Sequence, residues 1–192
     1  MCSWGMRSVQ SQSYEKQMEN KNETFKTESP EETQALGERL GKTLKQGDVI
    51  ALIGVAIGTG KTCLTQGIAR GIGIASGEVV NSPSYIVINE YNGTVPIYHI
   101  DLYRFENSEE IAELGLSEYM EGDGICIIEW AERIADALPD TCIKVHITLA
   151  DANTLHSDGE VSESILDSPE DEEDSPEDEN IRHIEIQYPI SR

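Results

Sequence analysis

The chain is 192 residues long, 38% of them hydrophobic, with a formal net charge of −22. Length and apolar content suit one domain around one core. The charge excludes a broad basic surface of the kind that grips a nucleic-acid backbone, so strong direct binding of RNA is not expected. Residues 151–180 hold 13 acidic side chains and no lysine or arginine. Setting those 13 aside leaves −9 on the other 162 residues, which points to partners with basic faces. Cys2, Cys63, Cys126 and Cys142 form no CxxC pair and no metal-ligand spacing with the four histidines, so they read as reduced thiols. Residues 1–26 contain no apolar run suited to a signal peptide or a membrane span, and a cytoplasmic location without membrane attachment is expected.

The first 24 residues, rich in Ser, Gln, Glu, Asn and Lys, read as a disordered tail, with order starting near Phe25 and a domain over residues 25–192. Ser29-Pro30-Glu31-Glu32 is a helix start: an N-cap serine, proline at the first helical position and a glutamate in capping-box register. The helix it opens runs to about Lys45, with Ala35, Leu36, Leu40 and Leu44 on one stripe. Val49 to Ile53 reads as a buried strand, followed by a glycine-rich loop and a second helix from Lys61 to about Ile72 that Gly71 and Gly73 end. Further strands are expected at Tyr85 to Tyr91, Ile97 to Asp101, Ile125 to Glu129 and Ile143 to Leu149. Helices fit at Ser108 to about Ala112 and at Trp130 to Leu138. Asn92-Gly93 marks a hairpin. The acidic stretch 151–180 repeats Asp-Ser-Pro-Glu-Asp-Glu and cannot bury enough apolar surface to fold. It reads as a disordered insert joining two adjacent strands, the second being Ile181 to Tyr188.

The order strand, glycine loop, helix is what a phosphate-binding loop needs. Successive backbone amides point into one concavity, a lysine reaches the terminal phosphates and a hydroxyl holds magnesium. Here Gly58, Thr59 and Gly60 form the loop, Lys61 supplies the charge and Thr62 the hydroxyl. Cys63 follows at the loop–helix junction, where its thiol packs without special chemistry. Val55 stands where the usual pattern has the glycine six residues before the lysine, with Gly54 one place earlier. A β-branched residue tolerates positive φ poorly, so the loop entrance is expected to be extended or shifted. The fold class that follows is α/β, a P-loop NTPase-like mixed, mostly parallel sheet flanked by helices.

ATP and Mg2+ are the expected cofactors. A magnesium nucleotide needs a carboxylate at the end of a neighbouring strand, and Glu129 and Asp101 both end apolar runs. His99 alternates with apolar neighbours and reads as a packed or hydrogen-bonded histidine ahead of a catalytic base, Arg104 as an ion-pair partner ahead of a phosphate-facing cation, and Trp130 as core ahead of a residue stacking on a base or a partner.

Beyond the loop, the chain carries Asn81-Ser82-Pro83-Ser84-Tyr85, Asn89-Glu90-Tyr91, Tyr98-His99-Ile100-Asp101-Leu102-Tyr103-Arg104 and Ile128-Glu129-Trp130-Ala131-Glu132. In this order and spacing, over roughly residues 25–150 and the last strand, the chain resembles the TsaE family, small P-loop ATPases that serve bacterial threonylcarbamoyladenosine modification of tRNA. The resemblance implies that Lys61 and Thr62 bind phosphate and magnesium, that Glu129 completes the metal site and that Asp101 is needed for ATP turnover. It also implies a switch-like Ser82-Pro83 loop, and Thr33 on the first helix as a residue near the nucleotide base. The implied partners are TsaB-like and TsaD-like proteins, with tRNA met only through their complex. ATP hydrolysis then supports turnover of that assembly without performing the carbamoyl transfer. Two departures stand out: Val55 and Ala56 replace the Gly and acidic residue usual in the family loop, and the acidic insert and long N-terminal tail are foreign to the family core. The alternatives are a nucleotide-binding scaffold with little hydrolysis and a small-molecule kinase. The kinase is disfavoured because the chain has only seven arginines, Arg7 and Arg192 among them in the terminal segments.

Overall fold

A computed structural model describes residues 22–54, 56–150 and 181–189. The expected tail up to residue 21, the insert 151–180 and Val55 lie outside the described residues. The first strand was not anticipated: β1, Asn22–Thr27, includes three residues assigned to the tail. Its side chains are polar apart from Phe25, so no apolar pattern announces it, and it is held by pairing to the last strand.

Helix α1, Pro30–Gly41, starts as the sequence indicates. The Ser29 hydroxyl accepts from the Glu32 amide at 3.1 Å, and the Glu32 carboxylate accepts from the Glu28 amide at 2.9 Å. It ends at Gly41, short of the expected Lys45. Strand β2, Val49–Ile53, leads into the loop and α2, Lys61–Ile72, which closes on left-handed Gly73. Strands β3, Ile88–Tyr91, and β4, Ile97–Asp101, form the hairpin around Asn92-Gly93. Short helices α3, Ser108–Ala112, and α4, Leu116–Met120, precede β5, Ile125–Glu129. The helix expected at Trp130 to Leu138 is a 3-10 helix over Ala131–Ala137, kinked at Ile134. Strands β6, Ile143–Leu149, and β7, Arg182–Gln187, complete the set.

The sheet order is β1-β7-β6-β2-β5-β4-β3. Strands β6, β2, β5 and β4 are mutually parallel, β7 and β3 run the other way, and β1 returns to the common direction. The sheet is therefore mixed and mostly parallel, as expected. The adjacency expected on either side of the insert is present, with β6 and β7 paired antiparallel and Leu149 opposite Arg182.

Alternation along the central strands divides two cores. Ile50, Leu52, Ile125, Ile127 and Ile147 face α1 and α2, whereas Val49, Ala51, Cys126 and Ile128 face α3, α4 and the 3-10 helix. Helices on both faces explain why β2 and the first four residues of β5 are apolar without interruption. The two long helices meet through glycine: a Cβ on Gly67 would lie 2.1 Å from the Gln34 carbonyl oxygen, and one on Gly41 would lie 2.2 Å from that of Ile68. This backbone-to-backbone contact sets where α2, and with it Lys61 and Thr62, sits over the sheet.

Candidate functional site

Because β2, β4 and β5 are parallel, their carboxyl ends share one edge of the sheet, where open α/β sheets bind ligands. The loop after β2, Asp101 at the end of β4 and Glu129 at the end of β5 meet there around a cavity of about 630 Å³. That volume suits a nucleotide. Gly58 and Gly60 have φ of 82° and 102°, a left-handed conformation that side chains with a Cβ disfavour, and Gly60 caps α2 with no side-chain hydrogen bond to the helix amides. A buried approach behind the loop also requires glycine: a Cβ on Gly54 would come within 3.0 Å of the Ile147 carbonyl and of Thr59 Oγ1.

Lys61 is buried, and its Nζ donates to the carbonyls of Gly54 at 2.8 Å and Ala56 at 2.9 Å and to Thr59 Oγ1 at 3.1 Å. The ammonium also lies 3.9 Å from the centre of the Trp130 ring. Burial lowers the Lys61 pKa from its ordinary value, and the charges of Glu129, Glu132 and Asp101 oppose that shift. Glu129 is held at both oxygens. Oε2 accepts from the Thr62 hydroxyl at 3.1 Å, and Oε1 lies 2.8 Å from His99 Nε2, with the imidazole fully buried. Asp101 is fixed in the same way: Oδ2 accepts from Ser82 at 2.5 Å and Ser84 at 3.1 Å, and Oδ1 from the Tyr103 amide at 2.9 Å.

Local backbone explains part of this placement. Residues 84–87 form a turn rather than the start of the expected strand, with Val87 at φ 72° and its amide donating to the Pro83 carbonyl at 2.7 Å. This folds Ser82 and Ser84 over Asp101. Trp130 is at φ 60°, directly after Glu129, and lines the cavity while packing, half-buried, against the edge of the second core. A left-handed β-branched residue and a left-handed tryptophan beside one site are costly conformations, retained where the surroundings impose them.

The structure brings Gly58, Thr59, Gly60, Lys61, Thr62, Cys63, Asp101 and Glu129 to the one cavity. Thr33 is not among the residues lining it. Its buried hydroxyl is 2.8 Å from that of Thr27 and 3.1 Å from the Ser29 carbonyl, bracing β1 against the start of α1. Arg104 lines the cavity and contacts the Tyr85 carbonyl at 3.4 Å and the Tyr85 ring, not the carboxylate partner expected first for it. His99 is a hydrogen-bonded core histidine, as its alternation indicated. Sequence reasoning missed Arg182, whose Nη2 lies 3.4 Å from the Gly58 carbonyl. No local motif marks it, since β7 reaches the loop only through sheet pairing across the insert.

A family model described as "Threonylcarbamoyl adenosine biosynthesis protein TsaE" matches residues 27–157. The chain belongs to the TsaE family. It is 43% identical over 127 residues to the tRNA threonylcarbamoyladenosine biosynthesis protein TsaE of Bacillus subtilis, covering 66% of this chain and 77% of that one. To the protein of the same name from Treponema pallidum it is 37% identical, covering 65% of this chain and 91% of the relative. The solved structure of Bacillus subtilis YdiB superposes with a TM-score of 0.63 at 31% identity, over 88% of this chain and 86% of that one. The matched family region includes the loop, Asp101 and Glu129 and stops before Arg182. Among the described residues no helix is long and apolar enough to cross a membrane.

Proposed function

We propose that this TsaE-family chain binds ATP with magnesium at the Gly58–Thr62 loop and hydrolyses it in support of tRNA threonylcarbamoyladenosine formation by TsaB-like and TsaD-like partners. The observation that carries the reading is the convergence of Lys61, the Thr62–Glu129 pair and Asp101 at the carboxyl edge of the sheet.

The donor set fits the ligand. The loop amides and the first turn of α2 offer N–H groups and the positive end of the helix dipole to phosphate oxygens. A phosphate oxygen competes for the three Nζ–H donors that Lys61 directs at its own loop, and its charge favours the protonated lysine that burial disfavours. Magnesium bound with a nucleotide takes one or two protein ligands, its other positions being filled by phosphate and water. Thr62 and Glu129 would be those ligands, and the ion would offset charge on the phosphates. His99 keeps Glu129 turned towards Thr62. Asp101, held by Ser82 and Ser84, links the turn over the cavity to the metal flank, so a partner that moves this turn alters the acid's surroundings.

A nucleotide-dependent scaffold is the second reading. It is favoured by Ala56, since residues 54–61 hold no carboxylate where family loops usually carry one. Phosphate release by the purified chain, alone and with both partners, separates the two. The expected result is slow release alone, acceleration by the partners and loss with Asp101→Ala. Lys61→Ala should weaken ATP binding roughly tenfold or more, since a charged hydrogen-bonding contact contributes about 1.5–3 kcal/mol. Background release with bound partners sinks the ATPase reading in favour of the scaffold, and unchanged ATP affinity in Lys61→Ala sinks both.

A further inference from the structure

We infer that Arg182 is a nucleotide-contacting residue, its guanidinium meeting the α- and β-phosphates from the side of the loop opposite the carboxylates. The inference rests on the nucleotide reading above. Strand β7 runs antiparallel to β6 with Arg182 opposite Leu149, so the first residue of β7 stands at the same edge of the sheet as the last residues of β2, β4 and β5. In the sheet order, β5 and then β4 lie to one side of β2 and bring Glu129 and Asp101. To the other side lie β6 and then β7, which brings Arg182. The loop after β2 is thus bracketed by carboxylates on one flank and by a cation on the other.

Arg182 touches the loop backbone itself. Its Nη2 is 3.4 Å from the Gly58 carbonyl, and a Cβ on Gly60 would come within 3.1 Å of its Nε. It also lines the same cavity as Thr62 and Cys63 at the loop–helix junction. In a loop of this kind the backbone amides cradle the α- and β-phosphates, while the lysine and the metal reach outward to the β and γ positions. With Thr62 and Glu129 fixing the metal flank, a cation on the loop backbone at the other flank faces the inner phosphates. A guanidinium carries five N–H donors in a planar fork and pairs with phosphate bidentately, which a lysine does not reproduce. Arg182 lies beyond the region that the family model matches.

Titrating the full chain with ATP and ADP, with magnesium and in its absence, tests the assignment. Arg182→Gln keeps much of the side-chain length and one amide donor but removes the charge. The residue is half-buried, and the ligand-free melting temperature is expected to stay at the parent value. Affinity for ATP and ADP should fall by the same factor, roughly tenfold, in both metal conditions, with Arg182→Lys recovering part of it. A loss confined to ATP would place the contact at the γ-phosphate and overturn the inference, as would a loss that tracks a lowered ligand-free melting temperature. Unchanged affinity in Arg182→Gln while Lys61→Ala binds poorly overturns it with the site intact. Unchanged affinity in Lys61→Ala removes the nucleotide site itself.

Discussion

Replacing Gly67 with alanine tests whether the glycine contact between α1 and α2 positions the phosphate loop. On helix propensity alone, alanine at an interior position of α2 stabilises the chain by about 1 kcal/mol. The structure predicts the opposite sign. The new Cβ would lie 2.1 Å from the Gln34 carbonyl oxygen, 2.9 Å from its carbon and 3.0 Å from its Cα, all backbone atoms of the facing helix. Carbon and oxygen rest at about 3.3 Å or more, so the helices must part by roughly 1 Å. No side-chain rotation relieves the clash, and Gly37, Gly41 and Gly71 make equally close approaches along the same seam. Overpacking of this kind costs about 1–3 kcal/mol, and a backbone obstacle puts it at the upper end, for a net loss of about 2 kcal/mol after the propensity gain. For a chain of this size that lowers the melting temperature by roughly 4–8 °C. Urea and thermal unfolding of parent and variant without nucleotide supply the comparison, and ATP affinity should fall as well because α2 carries Lys61 and Thr62. A Gly67→Ala protein as stable as the parent, or more so, would refute the reasoning by showing that the helices separate at no cost.

Two further outcomes follow from buried groups at the sheet. Glu129→Gln removes a charge held between Thr62 and His99, so it should raise the magnesium concentration needed for turnover at least tenfold while leaving metal-free nucleotide affinity within about twofold; identical magnesium curves would remove Glu129 from the metal site. Burial pushes the Cys126 thiol up to about 12 from its ordinary 9.0, so over that window the unfolded chain loses a proton that the folded chain keeps. The stability advantage of the parent over Cys126→Ala should therefore shrink by about 1.4 kcal/mol per pH unit above pH 9, and a pH-independent difference in urea midpoints would contradict it.

What the sequence determined by itself was short in range. An apolar run closed by glycine announced β2, apolar runs closed by acids announced β4 and β5, glycines at fixed offsets announced the loop, and Ser29 through Glu32 announced α1, because backbone conformation and single-strand burial depend on neighbours a few residues away. The parallel core followed from strands and helices in alternation. What only the tertiary structure decided depended on partners far along the chain. Strand β1 has no apolar signature and is held by β7, 155 or more residues later. The turn at Val87 and the left-handed Trp130 depart from what their own side chains prefer, and both serve contacts at the cavity. His99 could be read as buried, but its bond to Glu129 exists because β4 and β5 lie side by side in register, Asp101 opposite Glu129. Arg182 reaches Gly58 across 124 positions of sequence. Local propensity carries no information about such pairings; sheet order and the two-sided burial of the central strands do, because the observed arrangement covers both faces of β2 and β5 and brings their carboxyl ends to a common edge.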